Sequence, residues 1–388
     1  MRRFAFISCA VLIAALAAPR SAQAAPAAGA PVEINAVLPT TGGAAQLGSK
    51  EAEALTVMEA YVNKNGGING RPVHFVIADD ASNPQNSVQL TAALVAKKVN
   101  TIVGSAVVAT CGAMAPLLEK AGPVAYCLSP VIQPPPGSYM FSANVGTKDF
   151  VAVILRYFKA HGWTRVALMT TTDSSGHDFQ QEFTAQLAGP DAAGLQLVAN
   201  EQYNPQDLSV AAQIARVKAA SPQVLMTFAI GPPFGTLVRN ASDGGLTLPI
   251  FASSANLGYK QLSQYKTEVK ELYFVAGGGA ALDTHAPARQ QAAQSAFFSA
   301  FKDAGVKAEY LHTLAWDPTM ILIDALRHVG PDASPEALRA YIASLQNWYG
   351  ITGRYDFRAV PQRGIARNGA AIYRWDAATE QITTLPLP

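Results

Sequence analysis

The chain holds few cysteines and few charged side chains, and it lacks the short motifs of common enzymes. Charged residues make up 14% of the 388 residues, and cysteine occurs only at Cys9, Cys111 and Cys127. There is no G-x-S-x-G, no Walker loop, no H-E-x-x-H and no C-x-x-C. The histidines are scattered, without ligand pairs at helical spacing. We therefore expect neither catalysis nor a bound metal or cofactor.

Long apolar runs are also missing, except near the N terminus. The basic pair Arg2-Arg3 precedes an apolar stretch from Phe4 to Ala18, and Ala22-Gln23-Ala24 fits the small-x-small rule for signal cleavage. A membrane anchor is the alternative, but the stretch is shorter than the roughly 20 residues that span a bilayer. The pattern favours a cleaved signal peptide over residues 1–24 and a protein located in the periplasm.

Neither sign of charge dominates the mature chain. Loss of Arg2, Arg3 and Arg20 from 29 basic residues leaves 26, against 27 acidic ones. This balance argues against a nucleic-acid partner and against a membrane-surface protein. Cys111 and Cys127 would be the remaining cysteines. In an oxidising compartment they either pair or stay as two buried thiols, and both readings remain open.

What is present is a regular alternation of strands and helices, which is typical of βαβ units with a parallel sheet. Two successive runs of this kind predict two doubly wound lobes. Strands are predicted at 32–38, 73–78, 101–104, 124–127, 165–170, 196–202, 223–228, 249–252 and 272–276. Helices are predicted at 49–64, 87–98, 112–120, 150–161, 178–187, 208–219, 234–243, 289–304, 318–329 and 335–344.

The most informative stretch runs from Asn63 to Asp80. Gly66 and Gly67 suit the left-handed backbone that ends a helix, and Asn69-Gly70 is turn chemistry favouring positive φ. Pro72 then suits the first position of a strand because it has no N–H to donate. This order predicts a helix stop, a tight turn and a buried strand in close succession.

The same stretch, N-x-x-GGING-R followed by a strand ending in Asp79-Asp80, is similar to the first lobe of the leucine/isoleucine/valine-type periplasmic binding proteins. These are the solute receptors of ABC importers. Further matches to the family pattern are spread along the chain: Ala121-Gly122-Pro123, Phe141-Ser142, Trp316-Asp317, Gly350-x-Thr352-Gly353 and Asp356-Phe357.

The resemblance implies an α/β fold of two Rossmann-like lobes joined by a three-strand hinge. The expected organisation is a signal peptide at 1–24, a linker at 25–31, lobe one at 32–147 plus 277–344, and lobe two at 148–276 plus 345–388. It further implies a monomer that binds a small-molecule solute and the membrane subunits of an ABC permease.

The resemblance also nominates ligand-binding positions in loops at the carboxyl ends of the parallel strands. Amino-acid-binding members hold the ligand carboxylate with a serine, for which Val108 stands here, so Thr110 or backbone N–H groups at a helix start would have to substitute. Where the family commonly has a tyrosine, this chain has Ser175. The predicted ligand-binding residues are Leu47, Val108, Ala109, Thr110, Tyr126, Ser129, Ser175, Ile230 and Ser254.

Ser254 is the departure that bears most on the ligand. Amino-acid receptors of this family place a carboxylate there to pair with the ligand's ammonium group, and a buried ammonium without such a partner is costly to desolvate. The sequence therefore predicts an aromatic or aliphatic carboxylic acid as solute. A receptor for branched-chain or other amino acids or amides, and a periplasmic sensor co-receptor of the same fold, are the alternatives. A secreted enzyme ranks behind them.

Overall fold

The computed structural model describes residues 27–387, so the predicted signal peptide at 1–24 lies outside the described part. Within it the chain forms two separate parallel-based sheets covered by helices, plus a short two-stranded sheet. None of the helices in this part is long and apolar enough to cross a membrane.

The first sheet is entirely parallel and has the strand order β2-β1-β3-β4-β5. Its buried, near-continuous apolar strands are typical of a sheet covered on both faces. The register of its longest pair runs from Val32 opposite Val73 to Leu38 opposite Asp79. Its strands are β1 Val32–Leu38, β2 Val73–Asp79, β3 Thr101–Val103, β4 Val124–Cys127 and β5 Met140–Ser142.

The second sheet has seven strands in the order β14-β13-β10-β9-β8-β6-β7. The pairs from β7 to β10 are parallel, and the two C-terminal strands add on antiparallel. Its strands are β6 Arg165–Thr171, β7 Gln196–Tyr203, β8 Val224–Phe228, β9 Ile250–Ser253, β10 Glu271–Gly277, β13 Ala370–Asp376 and β14 Gln381–Leu385. The intervening β11 Gln346–Tyr349 and β12 Arg354–Asp356 pair only with each other.

Helices cover both sheets, and their packing shows how the chain passes between lobes. Helices α1 Ala45–Lys64, α2 Pro84–Ala96, α3 Val108–Leu118, α9 Ala288–Asp303, α10 Tyr310–Val329 and α11 Pro335–Ser344 pack around the first sheet. Helices α4 Thr147–Ala160, α5 Ser174–Leu187, α6 Ala211–Ala219, α7 Pro232–Asp243 and α8 Tyr259–Leu262 pack around the second. The chain thus crosses between the lobes after β5, after β10 and after α11.

The turn between α1 and β2 has the backbone predicted from its sequence. Gly66, Gly67, Asn69 and Gly70 have φ angles of 88°, 63°, 51° and 85°, all in the left-handed region. A Cβ on Gly67 would overlap the carbonyl of Arg71, so glycine is required there by space as well as by backbone angle. This confirms the helix stop and tight turn.

Several helices begin earlier than predicted, among them α1, α3 and α10. Helix α1 starts at Ala45 rather than Ser49, which moves Leu47 from a loop into its first turn, and α3 starts at Val108 rather than Gly112. Neither start carries a side-chain cap, so the usual sequence signal is missing. Helix α10 starts at Tyr310 rather than Pro318, because Glu309 forms a capping box and burial of the first two turns outweighs the proline inside the helix.

Other differences lie at sheet edges. The edge strand β5 falls in a segment that the sequence predicted to be a proline-rich loop, and β14 was not predicted. The segment around Gly350–Phe357, predicted to close lobe two, instead forms the separate β11–β12 hairpin, whose turn is held by Asp317 of α10. The carboxylate of Asp317 accepts the N–H groups of Ile351 and Thr352 at 2.8 and 2.9 Å.

Candidate functional site

The candidate site is an enclosed cavity of about 40 Å³ between the two lobes. A wider cavity of about 420 Å³ adjoins it toward the surface and shares Val108, Ser175 and Ile230 with it. The loops after β1, β3, β4, β6, β8 and β9 supply much of the lining, as expected for the carboxyl ends of parallel strands. Helices α3 and α5 contact each other across the cleft.

Most of the residues nominated from the sequence meet in this place. The inner cavity is lined by Leu47, Val108, Ser129, Ser175, Ile230 and Ser254, and Ala109 borders the outer cavity. Thr110 and Tyr126 line neither. The Thr110 hydroxyl donates to the carbonyl of Val107 at 3.2 Å, and the Tyr126 ring is buried against Phe141 with centroids 5.6 Å apart. Neither Thr110 nor Tyr126 lines a cavity, so no contact supports the ligand-binding role predicted for these two residues.

The first turn of α3 leaves backbone donors unused at the cavity. Val107 is its N-cap and offers no side-chain oxygen, and the first N–H to bond back along the helix is that of Cys111, 3.0 Å from the Val107 carbonyl. The N–H groups of Val108, Ala109 and Thr110 therefore have no acceptor within the helix. Together with the helix dipole, they form a site for a carboxylate or another anion.

The helix starts that face α3 from lobe two are not available in this way. Asp173 caps α5, because its carboxylate accepts the Gly176 N–H at 2.8 Å and the Ser175 hydroxyl at 2.7 Å. Helix α7 begins with Pro232 and Pro233, which have no N–H. The anion-binding capacity of the cleft is therefore concentrated on α3.

A disulfide between Cys111 and Cys127 fixes the position of that helix start. It joins the first turn of α3 to the end of β4, with the two Cα atoms 6.0 Å apart. Both cysteines are fully buried. Of the two readings left open by the sequence, the structure has the paired one.

Lobe two contributes aromatic rings to the cavity. Phe150, Phe179 and Phe228 line it, and the last two stack with centroids 4.7 Å apart and planes at 21°. Phe150 and Phe179 were missed because they sit at core-like positions of α4 and α5, where helical periodicity gives no sign of a ligand.

Tyr310 supplies a polar group to the same space. Its hydroxyl accepts the Gly277 N–H at 3.2 Å, and it lies near Ser254 on the cavity wall. Burial raises the pKa of the Tyr310 phenol, so the hydroxyl stays protonated and keeps a proton to donate.

No Asp, Glu, Lys, Arg or His side chain is found in the inner lining, as far as residues 27–387 are concerned. The polar groups there are hydroxyls and the amide of Asn144. Asp173 borders only the outer cavity and is engaged in capping α5. In the same described range, no cluster of His, Cys, Asp and Glu suits a metal ion.

Comparison with known proteins agrees with this geometry. The sequence profile of the family described as "Periplasmic binding protein" matches residues 31–380. The Leu/Ile/Val-binding protein BraC3 of Rhizobium johnstonii is 23% identical over 362 residues, which cover 91% of this chain and 94% of that protein.

Solved structures show the same fold. The branched-chain amino acid binding protein LivJ of Streptococcus pneumoniae, in complex with isoleucine, has a TM-score of 0.75 at 18% identity, over 92% of this chain and 100% of that one. An ABC transporter solute-binding protein of R. palustris, in complex with benzoate, has a TM-score of 0.73 at 17% identity, over 92% and 96% of the two chains. The chain belongs to the periplasmic binding protein family.

Proposed function

We propose that this protein is the periplasmic receptor of an ABC importer, and that its solute is an aromatic or aliphatic carboxylic acid without an α-ammonium group. One observation carries the proposal: the inner cavity has no charged side chain in its wall, and the uncapped start of α3 lies at the same cavity. A solute with one anionic head and an apolar body matches both features.

The head of the solute is bound by backbone groups. The N–H groups of Val108 and Ala109 meet a carboxylate at the start of α3, where charge-assisted hydrogen bonds are about twice as strong as neutral ones. The hydroxyls of Ser129 and Tyr310 lie on the same cavity wall. No basic side chain is needed for this mode of binding.

The body of the solute packs on apolar surface from both lobes. Leu47 and Leu314 come from lobe one, and Phe150, Phe179 and Phe228 come from lobe two. Closure of the lobes removes these faces from water at about 25 cal/mol per Å² of apolar area, so the ligand stabilises the closed arrangement. The stacked pair of Phe179 and Phe228 favours a planar, aromatic body.

An α-amino acid fits the cavity less well. Its ammonium needs a carboxylate or several acceptors, and the place of the family's acid is taken by Ser254. The curated relatives are named for amino acids, which keeps an amino-acid receptor as the second candidate. In that case the ammonium would have to reach Asp173 through the outer cavity.

Membership of the periplasmic binding protein family supports the partners in this proposal. ABC permease subunits receive the solute from the closed lobes, and the protein works as a monomer in the periplasm after loss of residues 1–24. A sensor co-receptor with the same fold would present the closed lobes to a signalling partner instead.

Native mass spectrometry of the mature protein tests the proposal, followed by a thermal-shift panel of acids and amino acids. We expect a co-purified carboxylic acid, and a ligand at a hundred times its Kd should add about 2.7 kcal/mol of stability. Stabilisation by leucine or valine, with no response to benzoate or 4-methylpentanoate, would contradict it.

A further inference from the structure

Arg363 is a buried cation that forms no ion pair within residues 27–387, and it lies directly behind the cavity wall. Its side chain belongs to the C-terminal segment between β12 and β13 and is only 7% exposed. Its guanidinium donates to the carbonyls of Asn144 at 2.9 Å and Pro130 at 3.1 Å, and both of these residues line the inner cavity. Two further carbonyls, of Ala143 and Ile132, accept from it at 3.0 and 2.8 Å.

The guanidinium has acidic groups around it, but none in direct contact within the described part of the chain. No carboxylate among residues 27–387 forms an ion pair with it, although Asp149 and Asp178 lie in its surroundings. Asp149 instead lies 3.7 Å from Arg367, and burial raises the pKa of both carboxyls. Burial lowers the pKa of Arg363 to about 10, which leaves the guanidinium protonated at neutral pH.

Hydrogen bonds to carbonyl oxygens satisfy the donors of a guanidinium but leave its net charge in place. In a buried setting that charge acts over a longer distance than it would in water, because the effective dielectric constant is lower. The inner cavity lies beyond two of the carbonyl partners of this guanidinium, because Asn144 and Pro130, to which Arg363 donates, line that cavity.

We propose that Arg363 is the specificity-determining charge of the cavity: held behind Asn144 and Pro130 by backbone carbonyls rather than by an ion pair, it favours a solute with an anionic head over a neutral solute of the same shape. This rests on the proposed function, since it concerns the same cavity and the same carboxylate. It adds a residue that touches no solute and acts through the electrostatic potential. Loss of its charge should therefore weaken anion binding selectively.

The test measures the affinity ratio of an acid to its amide by isothermal titration, with the pairs benzoate and benzamide and 4-methylpentanoate and 4-methylpentanamide. In the wild-type protein the acid should bind at least about tenfold more tightly than the amide. Arg363→Met should reduce that ratio by on the order of tenfold, and Arg363→Lys should retain most of it, although lysine cannot reproduce the four-carbonyl contacts. A purely structural role would change acid and amide binding equally in both variants.

Arg339→Met is the matched control. Arg339 also donates to a backbone carbonyl, that of Gly137 at 2.8 Å, but it lies on α11 and outside both cavity linings. The acid-to-amide affinity ratio of the Arg339→Met variant should equal that of the wild type. An unchanged ratio in Arg363→Met overturns the proposal, and so does a wild-type ratio near one, which needs no variant to fold. If the acids bind but the acid-to-amide affinity ratio does not behave as predicted, only the role of Arg363 is contradicted. If none of the four probes binds, the proposed function is contradicted as well.

Discussion

Helices α3 and α5 face each other across the cleft and use their first N–H groups in opposite ways. In lobe two, Asp173 occupies the start of α5, so that end of the helix is satisfied within the protein. In lobe one, Val107 leaves the start of α3 open. The same unit, a helix that follows a parallel strand, thus serves stability in one lobe and ligand binding in the other.

Giving α3 the cap that α5 already has is the strongest way to break this contrast. The Val107→Asp variant should place a carboxylate on the N–H groups that await the solute, and should also repel an anionic head. We expect a loss of benzoate affinity on the order of a hundredfold, measured by isothermal titration, because several charge-assisted hydrogen bonds are lost together. Val107→Asn, a neutral cap, should lose less, and unchanged binding by the aspartate variant would show that the solute head lies elsewhere.

The aromatic face of lobe two provides a second, smaller effect. Phe179→Ala removes one ring of the stacked pair and should weaken benzoate binding by about tenfold while lowering stability by about 3–5 kcal/mol. Phe179→Leu is the control that keeps apolar volume without the ring. Titration of both variants with benzoate and 4-methylpentanoate should show the larger loss for the aromatic acid, and equal losses would remove the argument for a planar body.

Removing the cap from α5 tests the other half of the comparison between the two helix starts. Asp173→Ala should cost ~1 kcal/mol of stability in a denaturant titration, because the Gly176 N–H loses its acceptor. Asp173→Asn keeps an acceptor and should cost less. Benzoate affinity should change little in either variant, since this helix start is not the binding site. A large loss of affinity would assign the anion to α5 rather than to α3.

Glu51, a buried acid on α1 in lobe one, gives the smallest predicted effect, a change in stability that depends on pH. Glu51 lies one turn beyond Leu47 on α1 and is fully buried. Burial, with a further contribution from the Asp80 carboxylate, raises the pKa of Glu51 well above its ordinary value. The wild-type protein should therefore lose stability as pH rises above that ordinary value toward the raised one.

Glu51→Gln cannot ionise, so its Tm should match that of the wild type most closely near pH 4.5 and exceed it by a few degrees near pH 8. Asp80→Asn is the contrasting control. The Asp80 carboxylate accepts the Ser82 N–H and the Ser87 hydroxyl, both at 2.8 Å, so the amide should lower the Tm. A Tm gain for Glu51→Gln that does not grow with pH would mean that Glu51 is not held in its neutral form.

The sequence was informative where local chemistry decides the backbone, and less so where packing does. The bounds of β1 and the left-handed turn at Gly66-Gly67 were predicted because apolar runs and glycines specify them locally. The start of α10 was placed at Pro318 because proline usually opens a helix, whereas burial of Tyr310 and its neighbours extends the helix by two turns. Edge strand β5 was read as loop because prolines precede it.

The site divides in the same way. Leu47, Val108 and Ser254 were nominated because the resemblance to the family places ligand-binding positions there, next to strand ends. Phe179 carries the signature of a core residue, and Arg363 carries none, because its four carbonyl partners come from segments more than 200 positions earlier in the chain. Only the tertiary structure could bring those groups together.

The most direct test of the central claim compares solutes that differ only in the α-ammonium group. Isothermal titration of the wild-type protein with 3-phenylpropionate and phenylalanine, and with 4-methylpentanoate and leucine, isolates that group on an aromatic and an aliphatic body. We predict that each acid binds at least about tenfold more tightly than its amino acid, since no carboxylate lines the inner cavity formed by residues 27–387. Tighter binding of phenylalanine or leucine than of the matching acid would contradict the account.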